Sequence, residues 1–182
     1  MLEKISRLTK DLQEIRGHIF YFFENADKYI ENAVTYIVSG IGQGDHILFI
    51  ENNKLFPVIQ GKLKPLLSTE QLAKVHYINN FDFYFSKGTF HFATVLNHFT
   101  KSIKPYIENE VSVRIWGHVE WGDQKEVDRE IEKYENEADQ ILSLNELTAV
   151  CAYDADRVSE SLRQSLIKCH EFHMTDNKIV EI

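Results

Sequence analysis

The sequence predicts an α/β fold in three layers, with a mostly parallel sheet between helices on both faces. Along the whole chain, short apolar runs that suit buried strands alternate with amphipathic runs that suit helices. The first two strands, residues 18–23 and 47–50, are separated by a segment of helix length, which is the pattern of a parallel strand-crossover-strand unit. A chain of 182 residues without an internal repeat or low-complexity stretch fits one domain.

Residues 1–16 carry one apolar stripe opposite a face of Lys, Arg, Asp and Glu. The stripe is formed by Leu2, Ile5, Leu8, Leu12 and Ile15. Its spacing of three or four residues predicts an N-terminal amphipathic helix. The helix either docks on its own domain or serves self-association in a homodimer, and two heptads do not decide between these. We therefore divide the chain into this helix, residues 1–16, and a single domain, residues 17–182.

The segment between the first two strands predicts a helix that ends near Val38. Asn25 is placed to cap its N-terminus. Three glycines, Gly40, Gly42 and Gly44, are expected to end this helix and turn the chain into the second strand.

The remaining segments alternate in the same way. Predicted strands cover residues 75–78, 111–116, 147–153 and 178–182, and predicted helices cover residues 54–67, 92–107, 123–142 and 159–170. The many charged residues of the 123–142 helix predict a solvated face. Residues 79–90 contain five aromatic side chains, so this segment is expected to fold over an apolar surface.

Composition excludes several classes of protein. The formal net charge of −8 argues against a surface for DNA or RNA, which needs clustered Lys and Arg. No apolar run reaches membrane-spanning length and the N-terminus lacks a signal peptide, so we expect a cytoplasmic protein. Cys151 and Cys169 are too few for a disulfide framework or a CxxC metal site.

The turn after the first strand contradicts the architecture around it. In many nucleotide-binding α/β folds this turn holds glycines, because backbone N–H groups must approach phosphate closely. Here residues 23–28 contain no glycine and two carboxylates, Glu24 and Asp27. The architecture therefore suggests a nucleotide site, whereas the residues argue against one.

Ligands of such sheets bind in the crevice beyond the C-terminal ends of the strands. The residues predicted at those ends are Glu24, Asn25, Glu51, Asn52, His118, Glu120, Trp121, Tyr153 and Asp154. This mixture of acidic, amide and aromatic groups suits a small polar or mixed ligand better than a polyphosphate.

Two histidine patterns raise the question of a metal. His118-Val-Glu120 would supply two ligands from one strand face, and His170-x-x-His173 two more near a helix end. Neither pattern matches a specific metal signature, so we expect no metal and no cofactor. A serine triad is not expected either, because no GxSxG motif occurs, and Cys151 is expected in the core.

An ordered set of short motifs resembles the MEDS domain, a sensory domain named for methanogen and methylotroph regulators. The motifs are His18-Ile-Phe-Tyr-Phe-Phe-Glu24-Asn25, the Tyr29 helix, Gly44-Asp-His-Ile-Leu-Phe-Ile-Glu51, Tyr84-x-x-x-Gly88-x-Phe90, Gly117-x-x-x-Trp121, Tyr134-Glu135 and Cys151-Ala-Tyr153-Asp154. Their order and spacing extend the resemblance from about residue 17 to the C-terminus. In one departure, His118 replaces a Glu that the family often carries, which predicts altered ligand choice or pH sensitivity.

The resemblance implies a RecA/KaiC-like fold that has lost its phosphate loop and senses small hydrocarbon derivatives. Lys28 stands where a phosphate-loop lysine would, beside carboxylates that repel phosphate. Glu51 stands where KaiC-like ATPases carry a catalytic carboxylate. The chain contains no helix-turn-helix or kinase segment, so the signal is expected to pass to a separate regulatory protein.

We therefore predict a non-catalytic sensory domain that binds a small organic ligand at the C-terminal edge of the sheet, without contacting nucleic acid or membrane. The predicted ligand-binding residues are His18, Glu24, Asn25, Glu51, Tyr84, His118, Glu120, Trp121 and Tyr153. His18 differs from the others in position, because it begins the first strand. Two alternatives remain: an ATPase-derived scaffold for protein interactions, and a residual nucleotide hydrolase that uses Glu51 or Glu120 as general base.

Overall fold

A computed structural model describes the backbone of residues 2–182 and the side chains of residues 7–182. Seven strands form one sheet in the order β3-β2-β4-β5-β1-β6-β7. The strands are β1 (His18–Phe23), β2 (His46–Glu51), β3 (Val75–Asn79), β4 (Val113–His118), β5 (Thr148–Asp154), β6 (Phe172–Thr175) and β7 (Lys178–Glu181). All neighbouring pairs are parallel except β6 and β7. The predicted α/β class with a mostly parallel sheet is confirmed.

Helices cover both faces of this sheet. They are α1 (Leu2–Glu14), α2 (Ala26–Gly42), α3 (Leu55–Leu63), α4 (Thr69–Leu72), α5 (Asn80–Tyr84), α6 (Phe92–Glu108), α7 (Val127–Leu144) and α8 (Glu160–Lys168). Alternate side chains of β1 enter two separate cores. Ile19 and Tyr21 pack with α1, α2 and α3, whereas Phe20 packs with α5, α6, α7 and α8. These two cores make the three layers.

Helix α1 docks on its own domain through the described part of its stripe. Leu8 and Leu12 are buried in the core on the α2 face, and Ile15 packs against that core. The side chains of Leu2 and Ile5 lie outside the described residues. The apolar contacts of α1 that the structure describes are therefore made within the chain.

Helix α2 continues to Gly42 instead of ending near Val38. Gly40 lies inside the helix, where a Cβ atom would meet Ile47 Cδ1 at 2.6 Å and Arg114 Cδ at 3.2 Å. Its lack of a side chain therefore permits close packing and does not stop the helix. Gly44, with a φ of +92°, makes the turn into β2.

Other boundaries differ from the prediction at short elements. The predicted 111–116 strand occurs two residues later, as β4, so that Gly117 and His118 belong to the strand. Strand β6 has four residues and was not predicted; it pairs with β7 in an antiparallel hairpin. Helices α4 and α5 have only four and five residues, too few for a helical period to show in the sequence. Within the described residues, no helix is both long and apolar enough to cross a membrane.

Candidate functional site

The C-terminal ends of β2 and β4 bring Glu51 and His118 together. Ile50 of β2 is in register with Gly117 of β4, which places the next residue of each strand side by side on the α2 face. Nδ1 of His118 lies 2.7 Å from Oε1 of Glu51, and both side chains are buried. The sequence prediction that these two residues share one edge of the sheet agrees with this placement.

A chain of hydrogen bonds from Trp116 through Tyr29 fixes the position of the Glu51 carboxylate. The indole N–H of Trp116 donates to Tyr29 Oη (2.9 Å), and the Tyr29 hydroxyl donates to Oε2 of Glu51. The backbone N–H of Asn52 donates to Oε1 of Glu51 (2.8 Å). Every oxygen of this fully buried carboxylate is therefore engaged by a donor of the chain itself.

Glu120 lies on the outer side of His118. Its Oε2 accepts hydrogen bonds from the side-chain amides of Asn52 (3.1 Å) and Asn80 (2.6 Å), and its Oε1 lies 3.9 Å from Nε2 of His118. Asn80 also donates to the carbonyl oxygen of His118 (3.0 Å). We call this set the strand-end network: Tyr29, Glu51, Asn52, Asn80, Trp116, His118 and Glu120.

The carboxylates stabilise a charged imidazole within the strand-end network. Burial lowers the pKa of His118, but the hydrogen bond and charge of Glu51 and the charges of Glu120 and Asp154 outweigh it, so the net pKa is raised. Burial raises the pKa of Glu120, but the charge of His118 and the amide hydrogen bonds outweigh this effect and lower it. Both shifts favour the charged forms of the two side chains.

This electrostatic arrangement predicts a pH-dependent contribution of His118 to stability. A histidine whose folded pKa is raised stabilises the protein fully below its unfolded pKa of about 6.5, and this stabilisation is lost as the pH rises through the folded value. We expect the difference in free energy of unfolding between wild type and His118→Gln to shrink as the pH is raised above about 6.5. Urea titrations at several pH values measure it, and a difference that stays constant from pH 6 to 9 would contradict the assignment.

Trp121, Tyr153 and Tyr84 surround this edge of the sheet without entering the strand-end network. The Arg157 guanidinium lies 4.8 Å from the Trp121 ring and donates to the Trp121 carbonyl, whereas the Tyr153 hydroxyl donates to Glu135. Tyr84 Oη packs against Gly117, where an added Cβ would lie 2.5 Å away. All three aromatic residues are buried.

Glu24 and Asn25 lie apart, at the turn between β1 and α2. The Asn25 side chain caps α2 by accepting the Lys28 N–H, and Glu24 is exposed. The backbone N–H groups of both residues donate to the carboxylate of Asp176, at 3.2 Å and 3.1 Å. Asp176, from the turn between β6 and β7, therefore places the chain's own anion beside the N-terminus of α2, the position that attracts phosphate in nucleotide-binding folds.

His18 lies at the opposite end of the sheet, in a second buried cluster. We call it the His–Glu–Cys cluster; it consists of His18, Glu135, Cys151 and His170, whose ligand atoms all lie within 4.8 Å of one another. Sequence reasoning missed this cluster because it assigned the acidic residues of α7 to a solvated face. The sequence does contain a sign that Glu135 is buried. Glu135 follows Ile131 by four residues and therefore lies in the apolar stripe of α7.

Burial and neighbouring charges shift the pKa values of His18 and His170 in opposite directions. Burial lowers the pKa of His18, but hydrogen bonds and charges of Asp139 and Glu135 outweigh it and raise the pKa to about 9. Burial and the charge of His18 lower the pKa of His170 to about 3. Burial raises the pKa of Cys151 well above its ordinary value. In the absence of another cation, a proton on His18 balances the Glu135 carboxylate.

Cavities among the described residues open on both faces of the sheet. A cavity of about 170 Å³ lies at the segment that follows β3 and is lined by Phe83, Tyr84, Ser86, Lys87, Thr89, His91 and Thr94. A larger groove of about 870 Å³ lies between α1, α2, the end of α3 and the β6–β7 turn. Of the nine predicted ligand-binding residues, Tyr84 is the one among the described lining residues of these cavities.

Comparison with known proteins assigns most of this chain to one family. The family model described as "MEthanogen/methylotroph, DcmR Sensory domain" (MEDS) matches residues 17–171. The match begins just before β1 and ends just before β6, so it includes the strand-end network, the His–Glu–Cys cluster and the 170 Å³ cavity. None of the curated proteins matches the sequence.

Proposed function

Because the chain belongs to the MEDS family of sensory domains, we propose that it is a non-catalytic sensor that binds a small organic molecule and signals to a separate regulatory protein. The observation that carries the proposal is the 170 Å³ cavity beside Tyr84. A cavity of about 150 Å³ in another protein accommodates benzene, so this volume suits a molecule of a few heavy atoms. A nucleotide is far too large for it.

The lining of the cavity favours a ligand with an apolar body and one polar end. Phe83 and Tyr84 are buried and supply an aromatic wall. Ser86, Thr89 and Thr94 supply hydroxyl groups that donate and accept hydrogen bonds. Such a combination fits a small hydrocarbon derivative, which is the ligand class that the family resemblance implies.

Helix α5 supplies a route from the cavity to the strand-end network. Tyr84, at its C-terminal end, lines the cavity and packs on Gly117 of β4. Asn80, at its N-terminal end, donates hydrogen bonds to the His118 carbonyl and the Glu120 carboxylate. We propose that a ligand beside Tyr84 shifts this five-residue helix and so changes the hydrogen bonds of Asn80 to β4.

Two features support the absence of nucleotide chemistry in this proposal. The carboxylate of Asp176 lies beside the N-terminus of α2 and would repel a phosphate there. The Glu51 carboxylate is buried and engaged by Tyr29, His118 and its neighbouring N–H, so no oxygen is left to activate water. Both features oppose the alternative of a residual nucleotide hydrolase.

A matched pair of substitutions on α6 tests the binding site. Thr94 is half-buried in the cavity wall, whereas Thr100 is exposed six residues further along the same helix. Small halogenated, methylated and hydroxylated hydrocarbons are screened by thermal shift, and the hits are titrated by calorimetry. We expect Thr94→Phe to fill the cavity and weaken binding by at least about tenfold, and Thr100→Phe to leave it unchanged.

Three outcomes would contradict this function. If no compound raises the melting temperature, the sensory ligand is of another class and the protein-interaction scaffold becomes the better hypothesis. If hits bind Thr94→Phe as tightly as wild type, the ligand lies elsewhere. Measurable affinity for Mg-ATP, weakened by Lys28→Ala, would restore the nucleotide hypothesis.

A further inference from the structure

We propose that the His–Glu–Cys cluster is a binding site for one divalent transition metal ion of the zinc type. The four ligands are Nε2 of His18, Oε2 of Glu135, Sγ of Cys151 and Nε2 of His170. They come from β1, α7, β5 and the residue that follows the end of α8 by two. None of these four residues is among the described residues that line the small-molecule cavity.

The spacing of the four atoms fits a tetrahedral ion. Zinc bonds of about 2.0–2.3 Å set neighbouring ligand atoms roughly 3.3–3.8 Å apart. Nε2 of His18 lies 3.2 Å from Oε2 of Glu135 and 3.4 Å from Sγ of Cys151, and Nε2 of His170 lies 3.6 Å from the same Glu135 oxygen. The most distant pair is separated by no more than 4.8 Å, so small side-chain shifts complete the tetrahedron.

Both histidines are oriented as metal-binding histidines are. Nδ1 of His18 lies 3.1 Å from a carboxylate oxygen of Asp139, and Nδ1 of His170 lies 2.6 Å from the carbonyl oxygen of Leu166. When Nδ1–H donates to such an acceptor, the lone pair is on Nε2 and points into the cluster. A carboxylate or a backbone carbonyl behind a ligating imidazole is the common outer-shell arrangement of metal sites.

Two polar atoms of the cluster are buried away from solvent and make no well-aligned hydrogen bond. Oε2 of Glu135 lies 3.2 Å from Nε2 of His18 without a well-aligned hydrogen bond, and Nε2 of His170 has no hydrogen-bond partner; the side chains of Glu135 and His170 are fully buried. The other oxygen of Glu135 accepts the Tyr153 hydroxyl, which fixes the carboxylate so that Oε2 faces the histidines. Unsatisfied buried polar atoms are costly, and one cation at the centre would satisfy both of them.

The donor set selects the kind of ion. Two imidazoles, one thiolate and one carboxylate suit zinc, cobalt or nickel, whereas magnesium and calcium prefer oxygen ligands alone. A divalent ion bound to one thiolate and one carboxylate also has no net charge, as a buried centre requires. Because four protein ligands close the coordination sphere, the ion is structural and clamps α7 and the end of α8 to the sheet.

Metal analysis of the full-length chain tests the site directly. Protein isolated without chelator or affinity-tag metal, or refolded with zinc, is expected to contain about one ion per chain after gel filtration. Cobalt replacement then gives a spectroscopic signature. We expect the intense visible bands of four-coordinate cobalt and a thiolate-to-cobalt charge-transfer band in the near ultraviolet.

Matched variants identify the ligands. Cys151→Ser and His170→Gln are each expected to weaken metal affinity by at least about 100-fold, and Cys151→Ser to remove the charge-transfer band. The controls are Cys169→Ser and His173→Gln, which change the same residue types outside the cluster and should bind normally. The wild-type cobalt spectrum keeps the proposal testable even if a variant does not fold.

Two results would overturn the proposal. One is a wild-type chain that binds neither zinc nor cobalt after refolding; the cation of the cluster is then a proton on His18. The other is a metal that remains bound with unchanged affinity and an unchanged cobalt spectrum in folded Cys151→Ser and His170→Gln, which would place the ion elsewhere.

Discussion

Replacing Glu51 by alanine is expected to lower the free energy of unfolding by about 3–5 kcal/mol, the usual result of removing one partner of a buried ion pair. The loss of the carboxylate leaves the buried His118 without its nearest counter-charge. It also leaves the Tyr29 hydroxyl without its acceptor, within a core that water does not reach. Through Tyr29 and His118, Glu51 therefore connects β2 with α2 and β4.

Urea denaturation of wild type and Glu51→Ala measures this loss. The control is Glu137→Ala on the exposed face of α7, which should change stability by no more than about 0.5 kcal/mol. A loss below about 1 kcal/mol for Glu51→Ala would mean that the carboxylate is not needed for the fold. It would then favour the catalytic role that the residual-hydrolase alternative assigns to Glu51.

The parallel sheet, and the residues at the C-terminal ends of its strands, can be predicted from patterns that are local in the sequence. The apolar run of residues 18–23 and the helix-length segment that follows are short-range patterns, and they indicate a parallel crossover. Once the strands are parallel, their C-terminal ends must share one edge. That rule places Glu51 and His118 at the same edge, but their contact depends on β2 and β4 being neighbours, which the sequence does not predict.

The other features depend on contacts between distant segments, which no local pattern encodes. Asp176 reaches the turn at Glu24 and Asn25 only because the unpredicted β6 pairs with β1. The His–Glu–Cys cluster likewise forms from four segments that are far apart in the chain. The sequence did place His18 at the start of β1, but the partners it meets there depend on how α7 and α8 pack.

Replacing Arg114 by methionine is expected to cost about 3–5 kcal/mol of stability, because it leaves the partly buried Asp45 carboxylate without its guanidinium. Arg114 is buried within β4, and its guanidinium donates to the Asp45 carboxylate and to the Gln43 side chain in the turn before β2. It also donates to the carbonyl oxygen of Leu12 (3.1 Å). One side chain therefore ties α1 and the α2–β2 turn to the centre of the sheet.

The double variant Asp45→Asn/Arg114→Met separates the ion pair from the packing around it. If the cost of Arg114→Met comes from the stranded carboxylate, the double variant is more stable than Arg114→Met alone, and the double-mutant cycle gives a coupling energy of at least about 1 kcal/mol. The control is Arg129→Met on the exposed side of α7. Additive losses would show that Arg114 stabilises the fold through its contacts with α1 instead. Hydrogen exchange distinguishes that case, since protection would then fall mainly in α1 and not in the turn that carries Asp45.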